Sequence, residues 1–119
     1  MVFLLFVTGC GPSTPPVAGG KSVEHWIEAL QDKDPSVREK AVKKLGNMGD
    51  KDQSAMSAVF DALSDPAPSV RKEAIYAVVR NRQASRQALP FLDEMKEHDE
   101  DAEIRKIADE AYGNLSNRN

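Results

Sequence analysis

Apolar residues recur at steps of three and four along most of the chain, which is the spacing of one buried face of an α-helix. Three of these stripes predict the first helix of a repeating unit: Val23, Trp26, Ile27 and Leu30; then Met56, Val59, Phe60 and Leu63; then Leu89, Leu92 and Met95. Three others predict a second helix: Val37, Ala41, Leu45 and Met48; then Val70, Ala74, Ala77 and Val78; then Ile104, Ile107, Ala108, Ala111 and Leu115. The pattern therefore predicts an all-α chain of paired helices.

Prolines and short polar residues mark where several of these helices begin. Pro35 and Pro68 suit the first turn of a second helix, where a missing N–H costs no hydrogen bond. Asp34 and Asp101 are candidates for N-caps, because an aspartate oxygen can accept from the free N–H groups of a first turn. Pro90 is expected in the first turn of the third unit's first helix.

The chain also repeats itself, and this is its strongest signal. Residues 29–41 and 62–74 are identical at eight of 13 positions with an offset of 33, and a third copy follows at an offset of 34. Units of this length made of helix pairs stack into a solenoid, and about three of them are needed to bury a continuous core. The predicted units are residues 22–50, 51–82 and 84–116.

Composition narrows the function classes. The 119 residues include 16 Lys and Arg against 19 Asp and Glu, a formal net charge of −3, which argues against general nucleic-acid binding. The chain has two histidines, one cysteine, no Gly-rich phosphate loop, no GxSxG and no HExxH. A catalytic group must also sit in a pocket, whereas three stacked helix pairs are expected to offer a surface. We therefore predict no enzyme activity, no cofactor, no metal and no small-molecule substrate.

The first ten residues are apolar or small and end at the only cysteine. They are too few to span a bilayer, which takes about 20 residues. Val7-Thr8-Gly9-Cys10 resembles the lipobox of bacterial lipoprotein signals, and the alternative is an apolar N-terminus with a free thiol. The resemblance implies removal of residues 1–9, lipidation of Cys10, and a location in the bacterial cell envelope, outside the cytoplasm. Residues 10–21 are rich in Gly and Pro and predict a flexible linker.

The start of the second helix carries a further resemblance. Asp-x-x-Pro-Ser-Val-Arg over residues 32–38, and Gln-Ala-Leu-Pro-Phe-Leu over residues 87–92, resemble the short-period repeats of the HEAT family, also found in phycobilisome lyases. The resemblance covers residues 22–116 of the predicted domain at 22–119. It implies a right-handed α-solenoid of about three helix pairs.

In that family, equivalent aspartates and arginines tie neighbouring inter-helix turns together. The resemblance therefore assigns this structural role to Asp32, Asp65, Asp99, Arg38, Arg71 and Arg105. A weak cation site along the aspartates is the alternative, although the glycine turn and terminal glutamate of an EF-hand loop are missing.

Second helices normally line the concave face of such solenoids. The equivalent outward positions are Lys43, Tyr76 and Glu110, followed by Asn47, Arg80 and Asn114. Tyr and Arg are enriched at binding hot spots, so the predicted partner-binding residues are Lys43, Asn47, Tyr76 and Arg80. The alternative is an ordinary solvated face.

Five other side chains invite a functional interpretation. Arg82 and Arg86 form a basic cluster with Arg80, which a helix dipole explains without a ligand. Trp26 is predicted in the core, with an exposed partner anchor as the alternative. His25 and His98 lie in different units and are predicted to be solvated.

These observations predict a small, membrane-anchored, non-catalytic module that docks a protein partner in the cell envelope. The alternatives are a structural or assembly subunit that self-associates through its repeat ends, and a HEAT-like lyase-type enzyme or accessory subunit. The function rests on resemblance of fold, which by itself does not identify the partner.

Overall fold

The computed structural model describes residues 17–18 and 20–118. Within them the chain forms six helices and a two-stranded ribbon: β1 Val17–Ala18, β2 Lys21–Ser22, α1 Val23–Ala29, α2 Pro35–Met48, α3 Gln53–Ala62, α4 Pro68–Arg80, α5 Arg82–His98 and α6 Ala102–Ser116. The predicted signal segment, Cys10 and most of the linker lie outside the described residues.

The helices pack as three consecutive antiparallel pairs, α1 with α2, α3 with α4, and α5 with α6. The second helices also pack side by side, α2 on α4 and α4 on α6. The first helices are less closely packed. The rings of Phe60 on α3 and Phe91 on α5 contact each other, with centroids 5.6 Å apart. These contacts confirm the predicted all-α solenoid and make the second helices its tighter side.

One continuous core runs through the three pairs, and it is built mainly from Ala, Val, Leu, Ile and Met. Small residues let the helices approach closely: a Cβ added at Gly46 of α2 would lie 2.9 Å from the Cβ of Ala77 on α4. Most predicted core residues are buried, but six are only partly so: Ile27, Leu30, Val37, Phe60, Leu89 and Ile107.

The sequence pattern missed two of the most deeply buried side chains, Val42 and Ile75, which have no exposed surface. They occupy equivalent positions in α2 and α4, and the same position in α6 is the exposed Asp109. A second helix that also packs against the second helix of the next pair buries a wider face than one that packs only against its own partner. Among the described residues no further pair packs on α6, and a charged residue there suits contact with water.

The predicted caps are confirmed. The Asp34 carboxylate accepts from the Ser36 N–H, and Asp101 accepts from the first-turn N–H groups of α6. The predicted position of Pro90 is wrong, because it lies in the interior of α5. That helix begins eight residues earlier, at a cap made by Asn81, whose side chain accepts from the Ala84 N–H at 2.8 Å. Pro90 lacks the N–H that would bond to the carbonyl of Arg86, and both residues are exposed.

The ribbon precedes α1 at the N-terminal end of the array. Val17 pairs with Ser22 and Ala18 with Lys21, and Gly20 takes the positive φ of 77° that the tight turn between them requires. Strand β1 packs against α2. The ribbon therefore lies against the first helix pair.

Candidate functional site

A ladder of hydrogen bonds joins the inter-helix turns. Arg38 donates from Nε and Nη2 to the two carboxylate oxygens of Asp65, at 2.9 and 3.0 Å, across the boundary between the first two pairs. Its Nη1 donates to the carbonyls of Asp32 and Lys33 in its own turn, at 2.8 and 3.1 Å. The Arg38 side chain thus binds both its own inter-helix turn and the inter-helix turn of the next pair.

The same arrangement recurs one unit later and is more deeply buried. Arg71 donates from Nε and Nη2 to both oxygens of Asp99, at 2.9 and 2.8 Å, and from Nη1 to the carbonyls of Asp65 and Pro66. The side chains of Arg71 and Asp99 are each only 7% exposed. A bidentate pair of this kind fixes the orientation of both partners as well as their distance.

Each aspartate of the ladder also braces its own turn by accepting from the backbone N–H two residues later, at 2.9 Å. Burial alone would raise the pKa of Asp65, but the hydrogen bonds from Arg38 and the Ala67 N–H hold that pKa below its ordinary value. The stabilisation from this charge is complete above the ordinary aspartate pKa, and it is lost as the pH falls through the lowered one.

The ladder is incomplete at its two ends. Asp32 accepts from the Asp34 N–H and is exposed, and Arg105 donates to the Asp99 carbonyl at 2.6 Å. Neither has an ion-pair partner within the described part of the chain. The aspartates are occupied by guanidinium groups and backbone N–H groups, and no cluster of three or more potential metal ligands occurs among the described residues. The alternative of a cation site thus has no geometric support there.

The predicted partner-binding residues lie along the second helices and are accessible to solvent. Lys43 and Asn47 of α2 are exposed, Tyr76 of α4 is 43% exposed, and the Arg80 side chain is 52% exposed. Asn47 and Arg80 line one small cleft between α2 and α4. Glu110 and Asn114 of α6 are exposed as well.

Trp26 belongs to the core, as predicted, and is only 7% exposed. The His25 ring packs edge-on to it with centroids 4.9 Å apart, and Lys40 Nζ lies 5.9 Å from its ring centroid. His25 and His98 are both exposed, so the predicted solvation of the two histidines is confirmed.

Two polar and aromatic features were not predicted from the sequence. The buried Asn81 donates from Nδ2 to Asp50 Oδ1 at 2.8 Å and so ties the start of α5 to the turn after α2. Beside it, a cleft of about 650 Å³ opens between α3 and α5, with Met56, Phe60 and the 48%-exposed Phe91 in its lining. The sequence shows that residue 91 is a phenylalanine, but its exposure depends on how α3 and α5 pack against each other.

No helix in the described part of the chain combines the length and the apolar character needed to cross a bilayer. No buried polar side-chain atom lacks a hydrogen-bond partner there. The buried polar groups are therefore occupied in holding the solenoid together.

Comparison with known proteins adds one finding. A family model of HEAT repeats matches residues 23–113, which span nearly all of the six helices. No curated protein matches the chain. Because the family model covers most of the sequence and the same residues form the stacked helix pairs, the chain belongs to the HEAT-repeat family.

Proposed function

We propose that this chain is a non-catalytic, lipid-anchored module that docks a protein partner in the bacterial cell envelope through its second helices. HEAT repeats are commonly protein-interaction modules and generally act as scaffolds. The observation that carries the proposal for this chain is Tyr76, a large aromatic side chain that remains 43% exposed on the tighter side of the solenoid. Arg80 lies one helical turn away, and this pairing is typical of interface hot spots.

The anchoring part of the proposal rests on Val7-Thr8-Gly9-Cys10, which resembles a lipobox. Two acyl chains or more hold a protein stably on a membrane, because each buried CH₂ contributes about 0.8 kcal/mol. A docking module held this way searches for its partner along the membrane.

Assembly through the repeat ends is less well supported. A further repeat packed on α6 would cover Asp109 at the position where Val42 and Ile75 are fully buried. Burying an unpaired carboxylate costs several kcal/mol. The charged outer side of α6 therefore favours a single module that binds laterally.

Lipidation is tested by the mass of the N-terminal peptide from cells that produce the chain. We expect Cys10 to be the first residue and to carry a thioether-linked diacylglycerol. The Cys10→Ser variant should lack the lipid and leave the membrane fraction. An unmodified peptide that retains residues 1–9 would contradict the anchoring.

Docking is tested by Tyr76→Ala combined with Arg80→Glu. Both positions are exposed, so helicity and melting temperature should change little. Loss of two hot-spot side chains should weaken capture of the partner from envelope extracts by roughly thirtyfold or more. The capture is quantified by affinity purification and mass spectrometry of the partners bound.

Phe91→Ala provides the matched control, because it removes an equally exposed aromatic side chain from a first helix. We expect it to leave capture unchanged. If Phe91→Ala abolished capture and the Tyr76 variant did not, the docking surface would lie on the opposite side of the solenoid.

A further inference from the structure

Four arginines converge where α4 ends, α5 begins and α6 ends. Arg80, Arg82, Arg86 and Arg118 line a cleft of about 380 Å³, together with the apolar side chains of Leu89 and Leu115. Its volume lies within the range of small binding pockets, roughly 300–1,000 Å³. Arg118 is 32 residues away from Arg86 in the sequence, so the fold alone brings it into the cluster.

Within residues 20–118, the positive charge of this cleft is largely unneutralised. Arg80 forms an ion pair with Glu73, whose Oε1 lies 3.8 Å from Arg80 Nη2. The other three arginines form no ion pair within the described part of the chain. Such a concentration of positive charge is unexpected in a chain whose net charge is −3.

The helix dipole does not account for this cluster, contrary to the explanation from the sequence. Arg80 does lie in the last turn of α4, where a cation is favourable. Arg82, however, is the first residue of α5, and Arg86 follows it at i+4. A cation at a helix N-terminus opposes the dipole, and like charges at i,i+4 repel each other. These residues thus lower the stability of the helix that carries them.

We propose that this cleft binds an acidic segment of the protein partner, with carboxylates on the arginines and an aliphatic side chain against Leu89 and Leu115. Guanidinium forks bind carboxylates in bidentate geometry. The apolar floor favours a peptide over a bare anion or a lipid headgroup. The cleft adjoins the docking surface through Arg80, and the inference rests on the proposed function.

The test measures fluorescence anisotropy of a labelled peptide of alternating glutamate and leucine with the full chain. A peptide of alternating glutamine and leucine is the uncharged control. Arg82→Glu with Arg86→Glu should weaken binding of the glutamate peptide roughly a hundredfold, because two charge-assisted contacts are lost. The melting temperature should stay equal or rise, since acidic residues suit the start of α5.

Lys51→Glu with Lys106→Glu makes the same change of net charge at exposed positions away from the cleft, and it should leave binding nearly unchanged. Equal binding of the glutamine peptide, or an equal loss in this lysine variant, would overturn the inference. So would binding of inorganic phosphate or of phosphatidylglycerol vesicles without binding of the glutamate peptide.

Capture of the partner separates this inference from the docking function. The docking variant used here is Tyr76→Ala alone, because Arg80 also lines the cleft. Loss of capture in both this variant and the Arg82→Glu with Arg86→Glu variant supports both the docking function and the acidic segment. Loss of capture in the Tyr76→Ala variant alone overturns the proposed binding of an acidic segment and still supports the docking function. Retained capture in both variants overturns both.

Discussion

Val70→Asp is expected to unfold the whole helical array. Val70 is completely buried in α4, at the centre of the three pairs. Its replacement forfeits about 1.5–3 kcal/mol of apolar burial and places a carboxylate in the core at a cost of several kcal/mol. The position lies in the first turn of α4, where the helix dipole stabilises the new carboxylate by only about 1 kcal/mol. The sum approaches the 5–15 kcal/mol that stabilises a typical domain.

The measurement is urea unfolding followed by circular dichroism at 222 nm, with Val37→Asp as the matched control. Val37 occupies the equivalent position in α2 and is only half-buried. The control should lower the free energy of unfolding much less. A folded Val70→Asp protein, or equal effects of the two variants, would contradict the assignment of Val70 to the inter-repeat core.

Arg71→Ala is expected to destabilise the protein by about 3–5 kcal/mol, because it leaves a buried carboxylate unpaired. Asp99 would keep only the Asp101 N–H, and the carbonyls of Asp65 and Pro66 would lose their donor. The loss should appear as a lower midpoint of urea unfolding with an unchanged slope, since the surface exposed on unfolding is nearly the same.

Arg105→Ala is the matched control for the ladder. It removes the equivalent arginine from α6, but this guanidinium bonds only to the Asp99 carbonyl and has no carboxylate partner among the described residues. Its effect should be well below that of Arg71→Ala. In the double variant Arg71→Leu with Asp99→Leu, much of the loss should be recovered, because apolar residues often replace a buried ion pair without cost. Equal losses for Arg71→Ala and Arg105→Ala would show that the bidentate pair contributes nothing.

Much of the architecture was predictable because its signals are local or repeated. The helical spacing of apolar residues indicates one buried face, and prolines and aspartates indicate where helices begin. Both signals depend only on residues that are close together in the sequence. The ladder was predictable from resemblance because the repeat carries Asp and Arg at the same offset in each unit. Asp34 and Asp101 were identified as caps on the same local basis.

Pro90 shows where a local signal misled. A proline usually marks the first turn of a helix, yet α5 starts at the cap formed by Asn81 and continues through Pro90. The buried residues Ala84, Ala88, Leu92 and Met95 hold the full length of α5 against its neighbours. Tertiary packing therefore outweighed the unfavourable proline.

The amino-acid pattern was sufficient for the helix pairs, their order and the residues of the ladder, because each depends on spacing within one repeat or on equivalence between repeats. Packing between the pairs decided which further side chains are buried, which stay exposed and which charged groups meet. It buries Val42 and Ile75 on a second helix face, leaves Tyr76 and Phe91 exposed, and brings Arg118 to Arg82 and Arg86. The physical reason is that exposure and charge neutralisation depend on which side chains meet across the solenoid, and residues far apart in the chain supply those neighbours.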